Sequence, residues 1–225
     1  MTTKGEEGSA GRSAEVRRKT RETEVRVAVD LDRAASPRIA TGVGFFEHML
    51  TALGTHGRFA LEVEAKGDLE IDGHHLIEDV GIVLGTAIRQ ALGHDLRIQR
   101  FAHAYAPLDE ALARAVVDVS GRGQLHFSAA FTRERVGDFE VELAREFFEA
   151  FASNAKITLH LEVIHGRNTH HQLEALFKAL ALALRDAFAR DEALIETPST
   201  KGTLSESQAT LPAQFPRRRA KRRRR

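Results

Sequence analysis

The chain has 225 residues, of which 42% are apolar and 29% charged, ordinary values for a soluble globular protein of one large domain or two small ones. It has no cysteine, which excludes disulfides and thiolate metal sites, so any bound metal must be held by imidazole and carboxylate. The formal net charge of +1 misleads: Arg217, Arg218, Arg219, Lys221 and residues 222–225 supply eight positive charges, and without them residues 1–216 carry −7.

Residues 1–16 are polar and rich in Gly, Ser and Glu, with no apolar centre of the kind a signal peptide needs, and are expected to form a disordered extension. No apolar run approaches the roughly 20 residues that span a bilayer, so a cytoplasmic protein with no membrane partner is expected. Residues 24–31 (EVRVAVDL) alternate charged and apolar, the mark of a half-buried strand. Gly42 and Gly44 punctuate a turn, and residues 45–57 read as a helix through Phe45, Met49, Ala52 and Leu53. Residues 59–65 (FALEVEA) alternate again, and Gly67-Asp68 marks a turn with a short paired strand expected at 69–71. Residues 75–92 have helical periodicity, stopped by Gly93. Beyond it, strands are expected at 116–119, 124–130 and 157–163, and helices at 140–153 and 170–190. Residues 205–225 are expected to be a disordered basic tail, because like charges repel and nothing apolar anchors them. Any contact with nucleic acid would come through that tail.

The order of elements repeats. His74-His75-x-x-Glu78 and His170-His171-x-x-Glu174 lie 96 residues apart, and the preceding strands FALEVEA and ITLHLEV match at an offset of 98. The expected fold is therefore α/β (α+β), a domain over 17–204 made of two half-domains (about 17–97 and 98–204), each a sheet with helices on one face.

If each HHxxE begins a helix, its first His and its Glu are i and i+4 and share a face, so together they can hold one cation. The second His is turned by about 100° and is free to bind another. A single HH pair at a helix start would more simply cap or pack it. Two copies at equivalent points of a duplicated fold favour coordination, which needs donors in fixed directions. The strand offset also carries His48 onto Glu146, both able to ligate. The expected ligands are His48, His74, His75, Glu78, Glu146, His170, His171 and Glu174.

GFFEHML (44–50), THGRFAL (55–61), DGHHLIEDVGIVLG (72–85), APLDEALARAVVDVSGR (106–122), NTHHQLEALFKALALAL (168–184) and PSTKG (198–202) resemble, in order, the imidazoleglycerol-phosphate dehydratase family. The resemblance runs from about residue 15 to residue 204. It implies two half-domains similar to the second domain of ribosomal protein S5, and a homo-oligomer of 24 subunits with two Mn²⁺ per site between neighbouring subunits. The implied reaction is that of a hydro-lyase of L-histidine biosynthesis. It dehydrates D-erythro-imidazole-glycerol phosphate to imidazole-acetol phosphate through a dimanganese-bound imidazolate and a diazafulvene-like intermediate. Glu22 then matches an acidic residue near the substrate hydroxyls and is expected to move the proton, with a metal-bound hydroxyl or water as the alternative. His48, His75 and His171 join it in the catalytic group. Arg100, Arg122, Lys178, Ser199, Thr200 and Lys201 match the phosphate-binding set, with His56 close by. Glu146 falls where members carry His or Glu. The competing readings are another dimetal enzyme, such as a phosphoesterase, and a non-catalytic metal-stabilised assembly protein with a nucleic-acid-binding tail.

Overall fold

Apolar residues at every second position of TEVRVAVD put Val25, Val27 and Val29 on one side of a strand, and all three are buried. In a computed structural model, which describes residues 11–93, 97–195 and 198–199, this strand lies inside a four-stranded sheet. The first half runs β1 (Ser13–Lys19), β2 (Thr23–Asp30), β3 (Arg38–Ala40), α1 (Gly44–Gly57), β4 (Ala60–Gly67) and α2 (His74–Leu92). Its sheet has the order β1-β2-β4-β3, with only β3 and β4 parallel, as the α1 crossover between them requires. The second half runs β5 (Phe101–Leu108), β6 (Ala111–Asp118), β7 (Gln124–Ser128), β8 (Arg135–Val136), β9 (Phe139–Glu140), α3 (Leu143–Ala155), β10 (Thr158–His165) and α4 (Thr169–Ala187). Its sheet, β5-β6-β10-β7, repeats the order and again has one parallel pair, β7 with β10.

Strand register fixes the duplication residue by residue. Asp30 pairs with Ala60 as Asp118 pairs with Thr158, and Arg38 pairs with Glu62 as His126 pairs with His160. The offset is thus 88 residues over the first three strands, 98 over the crossover helix and the strand after it, and 96 at the HHxxE helix, whose preceding loop is shorter in the second half. The extra ten residues of the second half fall between β7 and α3, where the β8–β9 hairpin sits.

The halves are joined through their helices. α2 packs on its own sheet and on α3, and α4 packs on its own sheet and on α1, so each helix pair crosses the duplication boundary. One apolar cluster runs through both halves. Gly81 and Gly85 let α2 and α3 touch: a Cβ would fall 2.7 Å from the Phe147 carbonyl oxygen at the first and 2.5 Å from that of Phe151 at the second. No helix of the described residues is long and apolar enough to cross a membrane.

Several expectations need correction. The chain is already a strand from Ser13, inside the segment read as a disordered extension. SAEVRRK hides this, because an edge strand buries little. Residues 69–71 are a turn, not a strand. The helix expected from 140 begins at Leu143, because Phe139 and Glu140 pair with β8. The last helix ends at Ala187 rather than at 190. β5 went unseen because its large residues point the wrong way: Phe101 and Tyr105 are exposed while its alanines face the core.

Candidate metal centre

Both HHxxE copies open helices. α2 starts at His74 after Gly73, and α4 starts at Thr169 after Asn168, whose side chain accepts the His170 N–H at 3.0 Å. The first His and the Glu of the second copy stand one turn apart as the spacing predicts: His170 Nε2 is 3.2 Å from Glu174 Oε2. The same oxygen is 3.2 Å from His48 Nε2 on α1. Donor atoms of His48, His170 and Glu174 all lie within 4.8 Å of one another, the one such three-donor group among the described residues.

This group is drawn from both halves. The sequence reading assigned four ligands to each half, but α1 packs on α4, so His48 of the first half meets His170 and Glu174 of the second. α1 is held in place by the inserted hairpin: Asp138 accepts the N–H of Gly44 at 2.8 Å and of Phe45 at 3.3 Å. Glu47 accepts the N–H groups of Thr41 and Gly42. Phe45 packs against both Phe139 and the His170 ring. None of these supports was legible in the sequence except the duplication itself.

Glu174 is electrostatically tuned. Burial pushes its carboxyl up, but hydrogen bonds from Lys178 and His48 outweigh it and hold it at about 2. Lys178 takes Oε1 at 2.7 Å, leaving Oε2 as the atom both imidazoles face. His56, in the last turn of α1, belongs to the same neighbourhood: burial and the Lys178 charge lower its pKa, with Glu174 acting against them. The donor chemistry, two imidazoles and an ionised carboxylate without sulfur, fits a hard to borderline divalent ion such as Mn²⁺.

The other expected residues lie in separate groups. By the duplication, Glu146 on α3 should stand to His74 and Glu78 on α2 as His48 stands to His170 and Glu174, and α2 and α3 are in contact. Glu78 and Glu146 nevertheless make no hydrogen bond or ion pair with a described side chain, and they form no three-donor group with His74. His75 Nδ1 is 3.0 Å from Asp68 Oδ2 and 4.0 Å from Glu22 Oε2. His171 Nδ1 is 2.8 Å from Glu110 Oε2, and its Nε2 is 3.8 Å from Asp109 Oδ2. Sequence reasoning missed Asp68, Asp109 and Glu110. The strand offset of 88, which only the sheet register reveals, would have found Glu110 as the counterpart of Glu22.

The described members of the phosphate set do not converge on one chain. Lys178 sits with Glu174 near the start of α4. The Arg100 N–H binds the Ala187 carbonyl at the far end of that helix, roughly 20 Å from Glu174 at 1.5 Å per residue. There the Arg100 guanidinium bonds Asp118 at 2.8 Å and the Pro198 carbonyl at 2.5 Å, which places Ser199 beside it. Arg122 is exposed in the turn after β6, held through Ser120. Thr200 and Lys201 lie outside the described residues.

Fold and donors together define a class: duplicated α/β proteins carrying, between their halves, an imidazole–carboxylate cluster able to hold a divalent metal. Comparison with known proteins narrows the class. The sequence profile described as imidazoleglycerol-phosphate dehydratase matches residues 41–184, a span that includes every residue of the cluster. The chain is 56% identical over 194 residues to imidazoleglycerol-phosphate dehydratase of Azorhizobium caulinodans, covering 86% of this chain and 98% of that one. It is 54% identical over 193 residues to that of Caldanaerobacter subterraneus, covering 86% and 100%. Among solved structures, imidazoleglycerol-phosphate dehydratase from Staphylococcus aureus superposes with a TM-score of 0.73 at 40% identity, covering 80% of this chain and 99% of that one. The Pyrococcus furiosus protein in complex with (S)-C348 gives 0.72 at 34%, covering 84% and 99%. The chain belongs to the imidazoleglycerol-phosphate dehydratase family, a family of hydro-lyases.

Proposed function

We propose that this chain dehydrates D-erythro-imidazole-glycerol phosphate to imidazole-acetol phosphate, a step of L-histidine biosynthesis, at a site holding two Mn²⁺. The observation that carries the reading is the three-donor cluster of His48, His170 and Glu174, formed across the halves of a family member at one of its two HHxxE helix starts.

In the reaction the hydroxyl on the carbon next to the ring leaves, the adjacent carbon loses a proton, and the resulting enol tautomerises to the ketone. The metals, when bound, would act as Lewis acids that make it easier for the imidazole ring to give up its N–H proton, and the deprotonated ring could then push electrons toward the leaving hydroxyl. The ligands are His48, His74, His75, Glu78, Glu146, His170, His171 and Glu174. Glu22, exposed and near His75, moves the proton at the side-chain carbon. Arg100, Arg122, Lys178, Ser199, Thr200 and Lys201 bind the phosphate and fix the orientation of the chain. Because Arg100 and Lys178 lie at opposite ends of α4, one phosphate cannot meet both on a single chain. A site completed by a second copy resolves this, in keeping with a homo-oligomer.

The test is dehydration of imidazole glycerol phosphate by metal-stripped protein, with and without added Mn²⁺. Manganese-dependent formation of the ketone is expected. No turnover by folded, manganese-loaded protein would sink the reading, and release of inorganic phosphate instead would put a dimetal phosphoesterase in its place.

A further inference from the structure

The duplication pairs residues whose tasks differ. Register places Glu110 where Glu22 stands in the first half, both in the turn between the first two strands of their sheet. Both direct Oε2 toward Nδ1 of the second His of an HHxxE, but Glu110 reaches His171 at 2.8 Å while Glu22 stops 4.0 Å short of His75. The place at His75 is filled by Asp68, at 3.0 Å from the loop between β4 and α2. Gly67, just before Asp68, has its counterpart in Gly166: a Cβ would meet Leu76 and Thr23 at the first, and the equivalent Gln172 and Ala111 at the second. The residues that follow Gly166 are Arg167 and Asn168, so the second half has no carboxylate in the place of Asp68. Each ring thus has one closely bonded carboxylate, taken from non-equivalent loops.

We infer that Asp68 and Glu110 are positioning residues that hold the Nδ1–H of His75 and His171, present Nε2 to the metal and leave Glu22 free to face the substrate. The inference deepens the proposed dehydratase reading and rests on it. A carboxylate only accepts, so a carboxylate at Nδ1 requires the proton there and leaves the Nε2 lone pair bare. Glu110 is itself fixed by the backbone N–H groups of Arg167 and Asn168. Its Oε1 takes the two backbone donors at 2.8 and 3.1 Å, so Oε2 is aimed rather than free to rotate. Asp68 keeps its Oδ1 buried with no hydrogen-bond partner among the described residues, a cost that packing alone does not require.

Glutamine separates positioning from anchoring. In Glu110→Gln the amide oxygen can still accept the Arg167 and Asn168 N–H groups, but the amide nitrogen then donates to Nδ1. That moves the ring proton to Nε2, the nitrogen meant for the metal. The experiment titrates metal-stripped full-length protein with Mn²⁺, reading free Mn²⁺ by electron paramagnetic resonance, and follows thermal unfolding of the same metal-free samples. Glu110→Gln and Asp68→Ala are expected to weaken Mn²⁺ binding by about 10–100-fold, with the metal-free midpoint of Glu110→Gln unchanged. Glu22→Gln is expected to bind Mn²⁺ as the wild type does. Wild-type affinity in Glu110→Gln, or a loss that its metal-free midpoint mirrors, overturns the positioning role alone. A wild type that dehydrates substrate without binding Mn²⁺ overturns the metal reading, and the positioning role with it.

Discussion

At the scale of single residues, Glu22 and Glu174 show how position divides chemistry among carboxylates. Glu22 is exposed and, among the described residues, meets no ionic partner closer than His75 at 4.0 Å, which suits the proton-moving role proposed for it. Glu22→Gln should therefore keep Mn²⁺ content and lower kcat by about 10²–10⁴-fold, and wild-type turnover would exclude the role. Glu174 and Glu110 are the opposite case, held at about 2 by close donors. The ordinary value for a glutamate is 4.5, so the folded pKa is depressed. Their contribution to stability is then complete above that value and fades as pH falls from it toward 2. The thermal midpoint of metal-free protein should drop across that window, and Lys178→Met should make the drop shallower by removing one of the donors that hold Glu174 down. A midpoint flat across the window would show that these carboxylates are not held in the folded state.

Among elements, the placing of α1 matters most, because it carries His48 to the other half. Its start is capped by Asp138, from a hairpin present in the second half only. Asp138→Ala should cost about 0.5–2 kcal/mol in denaturant unfolding and also weaken Mn²⁺ binding, whereas a simple surface change would do neither. The α2–α3 contact is closer still. Gly85→Ala would drive a Cβ against the Phe151 carbonyl and should destabilise by about 1–3 kcal/mol. Unchanged stability would mean that the two helices separate without cost.

For the whole molecule, the separation of Arg100 from Lys178 makes a testable demand on assembly. If a site takes one from each of two copies, Arg100→Ala and Lys178→Met chains should each lose most activity alone. Co-assembled at random in equal amounts, they should regain roughly a quarter of wild-type turnover, because some shared sites receive both intact residues. No recovery in mixed assemblies would show that the phosphate is bound within one chain. A second whole-molecule tie closes the chain: Asp32 accepts from Arg12 and Arg190, and Arg12 also donates to the Phe188 carbonyl, joining the start of the first half to the end of the last helix.

The sequence by itself determined a great deal. Period-two runs in β2, β4 and β10 and helical periodicity in the four helices follow from local sterics and one-sided burial, so they are legible without a fold. The HHxxE copies were equally legible, since the i,i+4 pairing of His170 with Glu174 is a property of any helix. The edge strand β1 and the inverted pattern of β5 were not, because their signals depend on which face the rest of the molecule covers. Tertiary structure alone decided that His48 meets His170 and Glu174 across the halves, that Glu110 stands where Glu22 does, and that Arg100 and Lys178 lie apart. Each is a matter of which helices pack together and in what strand register. Those choices are made by contacts distant in sequence, where local periodicity carries no information.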